Sequence, residues 1–281
     1  MKTYKYYTAL IIAIAMSTCV VFAQAPVKRN PSNNASTSHT HVATPPKQTV
    51  TNKPAPLNGY HEKTYSDGRV YKGNFKNDLF DGYGELKLAD GTVYKGEFKN
   101  GKSDGNGELK RANGTVYKGE FKNGKCEGDA EVKLADGAVY KGGFRDGQYD
   151  GYGEFKFENF IYNGYFQNGN FHGTGTLVWP DGSKYVGDFI DNKRTGQGVY
   201  TTIDGYRYEG QFVDGLYQGK GVETWKQDAT KPNNSCRVEC MYEKGKRHGS
   251  GTAYYNDYTY KKGIWENGTM VKVTENGTWH W

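Results

Sequence analysis

The chain has 281 residues and a formal net charge of +6. Six of its 37 basic residues precede Glu62, the first acid, so 31 basic residues stand against 31 acidic ones in the remainder. A nucleic-acid-binding protein needs excess positive charge on its folded part, so this balance argues against nucleic acid as a partner.

The first 23 residues have the pattern of a cleaved secretory leader. Two lysines precede the apolar run Ala9–Val21, which is short for a membrane span, and small residues allow cleavage after Ala23. A secreted or periplasmic protein is therefore predicted, with no membrane association beyond the leader. An uncleaved anchor and a lipid anchor on Cys19 are the less favoured alternatives.

Residues 24–58 have the composition of a disordered linker. This segment holds six of the eight prolines, many Ser, Thr and Asn residues, and no acid. Such a sequence buries too little apolar surface to offset the entropy lost on ordering. The folded part is therefore predicted to occupy residues 59–281.

A repeat of about 23 residues runs through the predicted folded part. Each unit reads Tyr-x-Gly-x-Phe, then a turn glycine, then Gly-x-Gly and Asp-Gly. A strained copy begins at Val238 after the insertion Lys226–Ser235, and a fragment begins at Lys261. Such periodicity is typical of repeat architectures, in which each unit is stabilised by its neighbours. The complete units begin at Tyr71, Tyr94, Tyr117, Tyr140, Tyr162, Tyr185 and Tyr208.

Each unit is predicted to form two short antiparallel strands. Val93–Lys99 alternates apolar and charged residues with the period of two that marks a half-buried strand. The Asp-Gly pairs suit tight turns in which both residues adopt positive φ. In the other turn column, Asp78 and Asn192 replace glycine, as expected for a left-handed backbone position. The predicted fold is all-β: an elongated single-layer antiparallel β-meander with a cap at its carboxyl end.

The repeat resembles the MORN repeat. The resemblance rests on Tyr94-Lys-Gly-Glu-Phe98, Gly101, Gly105-Asn-Gly107 and Asp90-Gly91, and it extends over about residues 60–268. It implies an elongated, curved antiparallel sheet that acts chiefly as a scaffold for protein contacts. A leader and the lack of a second domain set this chain apart from many relatives and disfavour a cytoplasmic, phosphoinositide-linked role.

The outward strand positions change character along the chain. They are charged in the early units, as at Glu108 and Lys110, whereas the later units carry Val, Thr and Tyr there. Because an exposed apolar patch often marks an interface, this region is predicted to bind a protein partner or a second copy of the chain. The alternatives are neutral strand-forming filler and cover by the insertion Lys226–Ser235. The predicted partner-binding residues are Tyr165, Val178, Val186, Val199 and Val222.

The inward aromatic residues suggest a second hypothesis. Trp179 and Trp225 share the column of Leu88, Leu134 and Phe157, and all five Trp residues lie at or beyond position 179. Aromatic rings stack on sugars, so these two residues are candidate ligand-stacking positions for a glycan. Packing against neighbouring units explains the same rings and is favoured.

The sequence shows no catalytic constellation and no metal motif, and it predicts no enzymatic activity and no cofactor. The stacked acids Asp81, Asp104, Glu127 and Asp150 are interpreted as a solvated polar column. Whether Cys236 and Cys240 pair stays open, although four residues along a straight strand separate them widely.

The favoured function is a non-enzymatic exported scaffold that binds protein through the outer face of its later repeats. The alternative is a cell-surface module that binds glycans or cell-wall material through the aromatic residues of the repeats. Loss of cell-wall binding on Trp179→Ala would favour the alternative, and selective recovery of a protein partner would favour the scaffold.

Overall fold

The structure is a computed structural model that describes residues 55–226, 230 and 234–280. The predicted leader, its cleavage site and nearly all of the predicted linker lie outside these residues. The described residues form strands and turns only, so the predicted all-β class is confirmed. No helix in them is long and apolar enough to span a membrane.

The chain packs into two compact units. The amino unit comprises residues 55–112 and Glu120–Lys125, and the carboxyl unit comprises Asn113–Gly119 and residues 126–280. Strand β6 (Val116–Lys122) falls at the division. The amino unit holds β1 (Gly59–Thr64), β2 (Val70–Lys76), β3 (Leu79–Lys87), β4 (Val93–Lys99) and β5 (Lys102–Lys110).

In the carboxyl unit, as in the amino unit, each strand pairs antiparallel with the strand that follows it, which confirms the predicted meander of hairpins. Its strands are β7 (Lys125–Lys133), β8 (Val139–Arg145), β9 (Gln148–Phe157), β10 (Phe160–Gln167), β11 (Asn170–Val178), β12 (Lys184–Ile190), β13 (Lys193–Thr201), β14 (Arg207–Val213), β15 (Leu216–Thr224), β16 (Ser235–Glu243), β17 (Lys246–Tyr255), β18 (Thr259–Glu266) and β19 (Thr269–Thr278).

The turn inside each repeat requires two consecutive residues with positive φ. Asn168 and Gly169 have φ values of 50° and 83°, the signature of a tight hairpin turn. Asp78 and Asn192, which replace glycine in this column, have φ values of 66° and 68°. The prediction that this column demands a left-handed backbone is therefore confirmed.

The Asp-Gly turn between repeats is built differently from the prediction. Only its glycine has positive φ, as at Gly182 with φ 81°. The aspartate instead accepts a hydrogen bond through its side chain: the Ser183 N–H donates to Asp181 Oδ1 over 2.8 Å. The prediction that both residues adopt positive φ is wrong, because this aspartate stabilises the turn as an acceptor.

The Tyr-x-Gly-x-Phe motif places one tyrosine ring over two glycines of adjacent strands. Gly164 on β10 pairs with Gly175 on β11, and a Cβ on either would lie 2.5 Å from the Tyr162 hydroxyl. That hydroxyl donates to the Tyr165 carbonyl over 2.8 Å, at the bulge that follows Gly164. Both glycines are thus needed to make room for a ring that satisfies the bulge.

The rings of successive repeats form the buried layer on this inner face of the sheet. Phe171 stacks on Tyr162 with ring centroids 3.8 Å apart, and Phe166 meets the same ring edge-on at 5.2 Å. Phe189 of the next repeat adds a second edge-on contact at 5.2 Å. Neighbouring repeats therefore share one aromatic layer, so each unit relies on the next to bury its rings.

The repeat that begins at Val238 departs from this arrangement through two paired replacements, a smaller residue for the tyrosine and a larger one for a glycine. Val238 replaces the tyrosine, and Cys240 replaces the glycine that the tyrosine ring would cover. Both side chains are buried. Cys236 and Cys240 are free thiols, which answers the question that the sequence left open, and burial raises the pKa of Cys240 to about 11.

Candidate interaction surface

The outer face of the amino unit is a ladder of opposite charges. Lys95 lies opposite Glu85 and Glu108 on the two neighbouring strands. Its ammonium group is 3.0 Å from Glu85, and both side chains are well exposed. Exposed pairs of this kind contribute little to stability, so the ladder serves mainly to keep this face in water.

In the carboxyl unit the same row of outer positions loses its charges. Glu131 and Lys141 still pair at 3.2 Å. Four strands after Lys141, Val186 on β12 lies directly opposite Val199 on β13, in the place that Lys95 and Glu108 take in the amino unit. The charge returns only at β14. Between Glu154 and Glu209 the row consists of four uncharged residues: Asn163, Thr176, Val186 and Val199.

Two neighbouring rows widen this region into a patch. Tyr152 on β9 faces Tyr165 on β10, with ring centroids 5.5 Å apart and exposed fractions of 61% and 51%. Ile161 on β10 faces Val178 on β11. We call the six residues of this surface the outer apolar patch: Tyr152, Ile161, Tyr165, Val178, Val186 and Val199.

The structure brings four of the five predicted partner-binding residues into this patch, but not Val222. Glu209 and Glu239 flank Val222 on the adjacent strands. Each glutamate is held by an arginine on its own strand, at 2.6 Å from Arg207 and 2.7 Å from Arg237. Val222 is therefore an isolated apolar residue within a charged part of the face.

Sequence reasoning missed Tyr152 and Ile161. Tyr152 is the middle residue of a Gly-x-Gly pair, where Tyr83 stands in the amino unit. Both tyrosines are highly exposed, but Tyr83 faces Glu97 whereas Tyr152 faces Tyr165. The residue on the neighbouring strand distinguishes the two tyrosines. Identifying that residue requires the strand register, because residue type alone does not give it.

Trp179 and Trp225 lie on the inner face and are partly buried there. The Trp179 ring contacts Tyr200 edge-on at 5.9 Å, and the Arg194 guanidinium lies 5.8 Å from its centroid. Trp225 contacts Tyr206 at 5.5 Å, and Arg247 lies 5.2 Å from its centroid. Both rings already pack against protein groups, which favours a packing role over sugar stacking.

A buried polar network lies beside Trp225. Arg247 Nε donates to Glu223 over 2.5 Å, and the Tyr206 hydroxyl donates to the same carboxylate over 2.9 Å. Glu223 is only 8% exposed. Burial, together with Tyr217 and Glu223, raises the pKa of Tyr206. Because the Glu223 carboxylate accepts hydrogen bonds from both Arg247 and Tyr206, we interpret this network as part of the packing.

The stacked acids of the earlier repeats stabilise turns. Asp104 accepts a hydrogen bond from the Asn123 N–H over 3.1 Å, and Glu127 accepts one from the Asp146 N–H over 3.1 Å. In a later repeat, the Gln218 side chain likewise accepts a hydrogen bond from the Lys244 N–H. Within the described ranges, no group of His, Cys, Asp and Glu is arranged to hold a metal ion.

Several solved structures are similar to parts of this fold. The TCP domain of SAS-4 (dCPAP) from Drosophila melanogaster, solved with a proline-rich motif of Ana2, has 14% identity, a TM-score of 0.34 and coverage of 66% of this chain and 92% of that domain. The TCP10 domain of Danio rerio CPAP, solved with a STIL peptide, has 13% identity, a TM-score of 0.25 and coverage of 78% and 98%. We draw no functional conclusion from these matches because their TM-scores are low. No curated protein matches the sequence.

The family model named MORN repeat matches eight successive segments of the chain. The segments are 71–93, 94–116, 117–137, 140–160, 162–184, 185–205, 208–229 and 241–260. They coincide with the hairpin units described above, and the last one begins directly after Cys240, within the repeat in which Val238 and Cys240 replace the usual pair. The chain belongs to the MORN-repeat family.

Proposed function

We propose that this protein is a non-enzymatic scaffold that binds a partner protein through the outer apolar patch of its carboxyl unit. The observation that carries the proposal is the Val186–Val199 pair, which stands where the amino unit has Lys95 and Glu108. A regular repeat array offers the same backbone at both places. The difference in side chains is therefore the feature that calls for a functional explanation.

The composition of the patch supports a protein partner. Two exposed tyrosines provide large, rigid contact surfaces, and the branched aliphatic residues lie beside them. Lysines border it: Lys156 faces Ile161, and Lys184 faces Val178. An apolar centre with a polar rim is the arrangement found in protein interfaces.

We also propose that the scaffold is exported, with the leader removed after Ala23 and residues 24–58 serving as a flexible tether. The basic start, the short apolar run and the proline-rich composition support this proposal. The intact mass of the protein purified from its natural source would test it. A mature chain that begins at Gln24 is expected, and a full-length chain beginning at Met1 would contradict export by cleavage.

The role of the outer apolar patch in binding is tested by a variant that introduces the charged pair of the amino unit into the patch. Val186→Lys combined with Val199→Glu recreates the Lys95–Glu108 pair at the equivalent position. Because that pair is accommodated in the amino unit, folding should be retained. Affinity for the partner, once recovered, should fall by at least about tenfold, which corresponds to about 1.4 kcal/mol.

The matched control is the same type of change outside the patch. Val222→Lys lies between Glu209 and Glu239, so it adds a charge on the same face without touching the patch. It should bind the partner as the wild type does. Equal affinity of the double variant and the wild type would contradict the proposal, as would binding to cell-wall material that depends on Trp179.

A further inference from the structure

One column on the inner face carries, in four of the repeats, an aromatic ring that stacks on the tyrosine of its own repeat, whereas two repeats carry Ser103 and Cys126 there. Phe80, Tyr149, Phe171 and Tyr217 stack in this way with centroids 3.6–3.8 Å apart. Arginine takes this position in two repeats, as Arg194 on β13 and Arg247 on β17. The two arginines can therefore be compared as members of one structural position.

Arg247 has a partner of opposite charge. Its guanidinium donates to the buried Glu223 carboxylate and also lies 4.9 Å from the centroid of Trp265. Burial acts to lower the pKa of Arg247, but the Glu223 carboxylate outweighs burial and the net shift is upward. The position thus accommodates an arginine when the chain itself supplies a carboxylate.

Arg194 lacks such a partner. Its guanidinium lies 5.5 Å from the centroid of Tyr185, 5.6 Å from that of Phe212 and, as noted, against Trp179. Nη2 donates to the Gly215 carbonyl over 2.9 Å. Within residues 55–226 and 234–280, no carboxylate lies within ion-pair distance of this guanidinium. Desolvation by burial lowers the pKa of Arg194.

A partly buried charge with no counter-charge is unfavourable unless something compensates for it. The aromatic rings around Arg194 offset part of the cost, because cations are attracted to ring faces. Phenylalanine or tyrosine at this position would avoid the cost altogether, as four other repeats of the chain demonstrate. The arginine is therefore best explained by a negatively charged ligand.

We propose that Arg194 is the receptor for one carboxylate of an acidic peptide that binds on the inner face of the carboxyl unit, beside Trp179 and Tyr200. A planar guanidinium matches a carboxylate in shape, and Glu223 provides that match for Arg247 within the chain. The neighbouring Lys193 is held by Asp214 at 2.8 Å and adds no free charge. A single uncompensated charge fits a carboxylate better than a doubly charged phosphate.

A peptide fits this site better than a sugar. The Trp179 ring already contacts Tyr200 and the Arg194 guanidinium, so charge is the main recognition element that the site offers. The site lies on the face opposite to the outer apolar patch. It is thus a second binding site, independent of the one proposed above.

The test compares two labelled peptides, Gly-Ser-Glu-Tyr-Glu-Ser-Gly and its counterpart with Gln in place of both Glu residues. Binding to the full chain is measured by fluorescence anisotropy at low salt, together with the NMR signals of the arginine Nε–H groups. The acidic peptide should bind at least about tenfold more tightly than the neutral one. The Arg194 signal should move on binding, and the Arg247 signal should stay in place.

The decisive variant is Arg194→Phe, which installs the residue found at Phe80 and Phe171. It should remove the preference for the acidic peptide while leaving the melting temperature unchanged or raising it. Lys193→Gln, the adjacent charge, should keep the preference to within about twofold. Val186→Lys/Val199→Glu should also keep it, which separates this site from the outer apolar patch.

Either of two results with the peptides would overturn the proposal, and one result with a sugar would do so as well. One is equal binding of the two peptides by the wild type. The other is an unchanged preference in Arg194→Phe. Binding of a trimer of glucuronic acid without binding of the acidic peptide would also overturn it, in favour of an acidic sugar as the ligand.

Discussion

The tyrosine of each repeat links two otherwise separate features of the sequence, the paired glycines and the bulge. Tyr162 covers Gly164 and Gly175, and its hydroxyl satisfies the carbonyl of the bulge residue Tyr165. The same bond recurs at Tyr71, Tyr94, Tyr140, Tyr185 and Tyr208. The motif is therefore a steric and hydrogen-bonding unit as well as a hydrophobic one.

Removing one of these hydroxyl groups should have a measurable cost. Tyr162→Phe keeps the ring but leaves the Tyr165 carbonyl without its donor, so the free energy of unfolding should fall by about 1 kcal/mol. Urea denaturation followed by circular dichroism measures it. Tyr165→Phe, on the exposed face, is the control and should have little effect. An equal loss in both variants would refute this role of the hydroxyl.

The steric role of the glycines can be tested by introducing the Val and Cys residues of Val238 and Cys240 at the equivalent positions of another repeat. Gly164→Cys alone should destabilise the protein by about 1–3 kcal/mol, since its Cβ would lie 2.5 Å from the Tyr162 hydroxyl. Adding Tyr162→Val should recover part of that loss relative to the sum of the two single changes. A double-mutant cycle on unfolding free energies measures the coupling. Purely additive effects would contradict the account.

At the scale of elements, the sequence was sufficient for the strands and for one of the two turns. Alternation and the glycine column predicted the hairpins, and the exceptions Asp78 and Asn192 identified the left-handed position correctly. The Asp-Gly turn was misjudged because aspartate suits two roles: it tolerates positive φ, and its side chain also accepts hydrogen bonds. Residue type alone does not separate these roles.

The corrected turn leads to an opposite expectation for one substitution. If Asp181 acts as an acceptor, Asp181→Gly should lower the free energy of unfolding by about 0.5–1.5 kcal/mol, because the Ser183 N–H loses its partner. If both turn residues needed positive φ, glycine would be neutral or stabilising there. Thermal and urea unfolding of this variant distinguishes the two. Asp181→Asn, which keeps an acceptor oxygen, serves as the control.

The candidate site was predictable in part for a related reason. Tyr165, Val178, Val186 and Val199 were found because they break the charged pattern of the repeat. Whether an apolar residue joins a patch depends on its neighbours across the strands, and these are fixed by the register. Val222 was therefore included although glutamates flank it, and Tyr152 and Ile161 were missed although each faces a member of the patch.

At the scale of the whole molecule, a uniform backbone carries two different outer surfaces. The amino unit presents paired charges, and the carboxyl unit presents the outer apolar patch. A repeat array suits this division, because each unit can change its outward side chains without disturbing the aromatic layer inside. We expect variants in the patch to alter binding and variants in the inner layer to alter stability.

The most direct test of the central claim is site-specific photo-crosslinking from two equivalent positions. Tyr152 and Tyr83 are the same residue in the same repeat position, with exposed fractions of 61% and 64%, but only Tyr152 belongs to the outer apolar patch. A benzophenone side chain at Tyr152 should capture one defined protein in the producing cell, and Val186→Lys/Val199→Glu should abolish that product. The same group at Tyr83 should not capture it. Equal capture from both positions, or capture that survives the double variant, would contradict the claim that the patch is the binding surface.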